Sequence, residues 1–132
     1  MPTTILDTEF ALMTHDAGSK MLYHEIRRPL RPGELRTLLS AGLDVVKRGQ
    51  ATRWLSNDLG NGVLPTADAQ WAQTQFSPEA VQAGWKFWAI IQPEGAIGKL
   101  QMKRFIQDNA DIGLTVEIFA DQHAAKEWLK AA

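Results

Sequence analysis

The sequence predicts an α/β fold: a mixed, mainly parallel sheet with antiparallel N-terminal strands and about four to five helices. Two observations predict it. Three short apolar-rich segments crowd the first 26 residues, and helical and strand patterns then alternate to the end of the chain. Alternating units of this kind build side-by-side strands joined by right-handed crossovers. The length, 132 residues, suits one domain spanning 1–132, since domains most often run roughly 100–150 residues.

Thr3 to Leu6, Phe10 to His15 and Met21 to Ile26 read as the three strands, with Asp16-Ala17-Gly18-Ser19 as a turn between the second and third. Pro29 ends the third, because proline cannot donate to a ladder. Leu35, Leu38, Leu39, Leu43 and Val46 then form one apolar helical stripe, with Pro32 suited to its first turn and Gly49 to its end. Thr52 to Leu55 is a strand running into the loop Ser56 to Gly62. Thr66 and Ser77 offer hydroxyls to cap two short helices, the first carrying Trp71. Phe87 to Ile91 is a continuous apolar run, the pattern of a strand covered on both faces. Met102, Phe105, Ile106 and Ala110 mark a helix ending at Gly113; Leu114, Val116 and Ile118 alternate with Thr115, Glu117 and Phe119 in a strand. Asp121 caps a last helix that packs Ala125, Trp128 and Leu129.

Composition removes several function classes. The formal net charge is -1, which supplies no field for gathering nucleic acid or an anionic membrane surface. There is no cysteine, so disulfides, thiol nucleophiles and cysteine metal sites are excluded. The start, MPTTILDTEFALM, lacks a basic segment followed by a long apolar run, and no stretch approaches the roughly 20 apolar residues of a membrane span. The expectation is a cytoplasmic protein with no cofactor.

Ligands in open parallel sheets bind beyond the carboxyl ends of the strands, which is where Ser56 to Gly62 lies. Its candidates are Ser56, Asn57, Asp58, Gly60 and Gly62. Amides freed by the glycines could hold an anion, and Asp58 could orient a polar group or act as a base. Equally, Asn57 and Asp58 could bond their own backbone while the glycines take positive φ in turns. Among five tryptophans, Trp54 and Trp88 fall on central strands, whereas Trp71 stands among small and polar residues beside the loop. An exposed aromatic there would mark a partner surface or a cavity wall; partial burial suits tryptophan's mixed character equally well. His15, His24 and His123 have no metal-ligand neighbour at helical spacing and read as surface or hairpin residues. Lys99, Lys103 and Arg104 read as a solvated helix face paired with Asp108 and Asp111; Arg27, Arg28 and Arg31 read as a small basic rim.

The element order, with RWLSNDLGNGVLP, SPEAVQAGWKFWAIIQP, MKRFI and VEIFADQHAAKEWLK, resembles the bacterial STAS-like proteins, small α/β domains similar to anti-sigma factor antagonists. The resemblance covers nearly the whole chain. In the regulatory branch it implies a phosphate-accepting Ser at the start of the helix after a central strand, usually within Asp-Ser-Ser/Thr-Gly. The only nearby hydroxyl here is Ser56, in Leu55-Ser56-Asn57-Asp58, where the order of Asp and Ser differs and a long loop precedes the next helix.

Three readings follow. The first is a non-enzymatic STAS-like binding or regulatory domain, a homodimer working through protein contacts at Trp71 and the LGNGVLP loop. The second is a carrier or sensor for a small apolar or amphipathic ligand, in a cavity walled by Trp54, Trp71 and Trp88 and closed by the loop. The third, with the thinnest basis, is an enzyme using Asp58 as general base.

Overall fold

The computed structural model describes residues 2–132, except for the side chain of Ala110. Six strands form one sheet in sequential order: β1 (Thr3–Asp7), β2 (Ala11–Asp16), β3 (Met21–Ile26), β4 (Arg53–Asn57), β5 (Phe87–Ile91) and β6 (Thr115–Ile118). β1, β2 and β3 form an antiparallel meander, while β3 through β6 run parallel. The helices are α1 (Glu34–Lys47), α2 (Thr66–Trp71), α3 (Ser77–Ala83), α4 (Ala96–Asn109) and α5 (Gln122–Ala131). None is long and apolar enough to cross a membrane.

Strand alternation divides the core in two. Right-handed crossovers that always step in the same direction deposit their helices on one face. There Leu22, Trp54, Trp88 and Ile90 meet Leu35 and Leu38 of α1, Ala80 of α3 and Met102 of α4. On the other face Met21, Leu55, Ala89 and Ile91 pack against Ala125 and Leu129 of α5 alone. Consecutive strand residues thus serve different cores, which is why Phe87–Ile91 carries no polar residue.

Several local expectations need correction. Ser77 caps nothing: α2 and α3 are joined through a π-helical segment, Ala72–Phe76, so Ser77 lies inside one bent helix and its Oγ is buried with no partner. Thr66 is likewise the first residue of α2, behind Pro65. On α1 the buried stripe is Leu35, Leu38, Leu39, Val45 and Val46, with Leu43 only half-buried. Gly42 completes this face because a Cβ there would overlap the Trp54 indole. Asp121 does cap α5, accepting from the Ala124 N–H at 2.8 Å. In α4, Met102 is buried and Phe105 and Ile106 half-buried; Ala110 of the expected stripe falls outside the described side chains.

Candidate functional site

The parallel register places the site. His24 of β3 lies beside Ser56 of β4, which lies beside Ile90 of β5, all on the crossover face. One residue past β4, the Asp58 N–H donates to the Ile91 carbonyl at 2.8 Å, tying the carboxyl ends of β4 and β5 together. This turns the Asp58 carboxylate back over the same face. Its Oδ1 sits 2.9 Å from His24 Nε2, and the Trp54 indole N–H donates to His24 Nδ1 at 2.9 Å. Trp88 Nε1–H donates to Ser56 Oγ at 2.8 Å. All five residues are buried.

An indole N–H can only donate, so His24 Nδ1 must accept and the ring proton sits on Nε2, facing Asp58. Both ring nitrogens are therefore occupied. His24 has no lone pair left to take the Ser56 proton, so serine, histidine and aspartate here do not form a nucleophile-activating triad. Instead the indole orients the imidazole, and the imidazole orients the carboxylate. Asp58 Oδ2 accepts no hydrogen bond among the described residues.

A cavity of about 50 Å³ opens beside these groups, enough for a few waters or a small chemical group. His24, Ser56, Asp58 and Asn61 supply its polar side. Trp54, Phe76, Trp85, Trp88 and Phe105 supply rings, joined in a chain whose centroid separations run from 5.4 Å for Trp54–Trp85 to 5.7 Å for Phe76–Trp85. The π-helical segment contributes both of its buried residues, Ala72 and Phe76, to this wall. Such bulges frequently sit at functional sites because the extra residue re-aims side chains. Outside, the Gln101 side chain accepts from the Leu64 N–H at 2.9 Å and donates to the Leu64 carbonyl at 3.2 Å, fastening the loop to α4.

Of the residues singled out from sequence, Trp54, Ser56, Asp58 and Trp88 converge on the cavity. The others do not. Asn57 points to the α5 face, donating to the Tyr23 hydroxyl at 3.3 Å and accepting from the Leu59 N–H; burial pushes the Tyr23 phenol above its usual range. Neither Gly60 nor Gly62 has positive φ. Gly60 is required by proximity, since a Cβ would run into the Ile26 carbonyl. Three of the loop amides are not free to cradle an anion: those of Leu59, Asn61 and Gly62 already donate to Asn57 Oδ1, the Asp58 carbonyl and Asn61 Oδ1. Trp71 lies outside the cavity, half-buried against Phe76 and under the Arg36 guanidinium, 5.4 Å from the ring.

Sequence reasoning missed His24, Trp85, Phe76 and Phe105. His24 was legible in principle, because it shares strand parity with Leu22 and Ile26 and so faces the core. His15 and His24 do lie on the β2–β3 hairpin, but both are buried, His15 with Nε2 2.8 Å from the Gln50 carbonyl. Within the arginine rim, Arg27 pairs with Asp7, and Arg28 with Glu9 and Glu34. Lys99, Lys103 and Arg104, by contrast, make no ion pair with Asp108 or Asp111 among the described residues. Compared with family models, with curated proteins and with solved structures, the chain matches none.

Proposed function

We propose that this protein is a small-ligand-binding domain, a carrier or sensor built on a STAS-like plan, and that its ligand is amphipathic. The observation that carries this reading is the cavity: an aromatic box with a serine, a histidine-held aspartate and an asparagine along one side. Binding pockets combine mostly apolar walls with a few placed polar groups. Close-packed cores contain few voids larger than a water, and the Asp58 oxygen that meets no donor among the described residues is open to a ligand that supplies one. The occupied nitrogens of His24 argue for binding over catalysis.

A screen of small molecules followed through the indole N–H resonances tests this. Trp54 and Trp88 report the cavity, whereas Trp128, packed on Phe87 and Phe119 across the sheet, is an internal control. Hits should shift the first two signals and leave the third in place. Hits that gather at Trp128, or none at all, would discard the reading.

A second reading is work through protein contacts, including a homodimer. It is favoured by Val63, Ile97 and Leu100, each more than half exposed and flanking one groove. Isolated exposed side chains are ordinary; a contiguous set marks an interaction surface. Light scattering across concentrations should show a dimer that Leu100→Glu dissociates; a monomer throughout counts against self-association.

A further inference from the structure

The charge inside the cavity narrows the ligand class, given the binding role proposed above. Only 7% of the Asp58 side chain is exposed, and no Lys or Arg lies on the cavity wall. Its sole ionic neighbour among the described residues is His24, whose Nδ1 is held as an acceptor by the Trp54 indole. The imidazole therefore approaches as a neutral donor, and the carboxylate charge is oriented but left uncompensated. Buried charges are paired or bind ions. The Trp54 and Trp88 indoles turn their N–H edges to His24 and Ser56, so neither ring neutralises the carboxylate. An anionic group would meet the Asp58 charge directly.

We infer that the cavity selects a compact organic cation, a primary or methylated ammonium group on a short apolar body. The ammonium would donate to Asp58 Oδ2 and lie among Trp54, Trp85 and Trp88. Ser56 Oγ, engaged by the Trp88 N–H, keeps a further lone pair for the same group. The least buried lining residues, Asn61, Leu64 and Phe105, mark the end where the apolar body would emerge.

Three probes of nearly equal shape decide the matter: n-butylammonium, 1-butanol and butyrate, titrated against the indole N–H resonances of Trp54 and Trp88. Butylammonium should bind at least about tenfold more tightly than butanol, the scale of a hydrogen bond to a charged group, and butyrate should not bind. Asp58→Asn keeps an oxygen for the His24 N–H, so the variant should melt as a folded protein. It should lower butylammonium affinity to that of butanol and leave butanol unchanged. Butanol or butyrate binding as well as butylammonium would overturn the cation assignment while sparing the cavity's binding role. An unchanged preference in folded Asp58→Asn would overturn it too. Silence of Trp54 and Trp88 toward all three probes, and toward the wider screen, would remove both.

Discussion

The two faces of the sheet are built to different ends, although the same strands supply both. Under α5, Leu55, Ala89 and Leu129 are fully buried in an apolar cluster with Met21, Ile91 and Ala125. Opposite, β4 and β5 present Trp54, Ser56, Trp88 and Ile90, joined by His24 and Asp58, around a space that their neighbours do not fill. Ser56 and Leu55 are adjacent in sequence, yet one faces the cavity and the other a dry seam. The α5 face holds the fold together. The crossover face leaves a void with polar groups held around it, the preorganisation on which the proposed binding role rests.

Substitutions can break or sharpen this contrast. The largest loss is expected on the dry face: Leu129→Ala should cost about 2–5 kcal/mol in denaturant unfolding, with ligand-induced shifts of Trp54 and Trp88 retained once the protein is folded. An equal cost accompanied by loss of binding would show that the faces are coupled. Gly42→Ala should cost about 1–3 kcal/mol, an overpacking penalty, because the new methyl displaces the Trp54 indole and with it the support of His24. The NMR spectrum of the variant should then show altered Trp54 indole and His24 imidazole resonances, and its unfolding curve the loss of stability.

A matched pair is more diagnostic. Ala89→Val overpacks the α5 face and should destabilise by about 1–3 kcal/mol. Ala72→Val extends into the cavity and should be neutral or stabilise by up to about 2 kcal/mol, as cavity filling often does, while reducing ligand affinity. Thermal denaturation of the two variants gives opposite signs if the void exists as described; equal losses would mean that the crossover face is as tightly filled as its counterpart.

The smallest effect concerns acid. Hydrogen bonds from the Arg28 side chain, with a further one from the Arg31 backbone N–H, lower the Glu34 carboxyl from 4.5 to about 2. The folded value lies below the unfolded one, so this contribution is present above about pH 4.5 and is lost as pH falls toward 2. Glu34 belongs to the junction of β3 and α1, on the cavity side. The α5 side is secured instead by Arg53, which donates to the Leu129 carbonyl at 2.7 Å and the Ser19 carbonyl at 2.9 Å, acceptors that do not titrate. Glu34→Gln should flatten the acid limb of a pH series of unfolding midpoints between those two values, whereas an unchanged limb would assign acid sensitivity elsewhere.

Much of this architecture was legible in one dimension. Alternation and helical stripes mark every strand and the order of helices, and the strand-end rule singles out Ser56 and Asp58. Trp54 and Trp88 follow from their strands. The π-helical join was not legible, because Thr66 and Ser77 both offer plausible caps and nothing local distinguishes a second helix start from a bulge. Trp71 is partly buried, one of the two expectations for it, but it is no cavity wall: Ala72 and Phe76 line the cavity while Trp71 lies beside Arg36. Gly60 carried the right identity for a different cause, close approach to the Ile26 carbonyl in place of a positive φ.

What the chain determined by itself was periodicity, and periodicity sets which residues share a strand face or a helix stripe. Only the folded structure decided that His24, thirty-four residues before Asp58, would have one nitrogen held by an indole and the other turned to that carboxylate. Such a contact depends on the parallel register of separate strands and on the packing of α1 behind Trp54. No local pattern encodes either, because both are settled by how distant segments fill a common space.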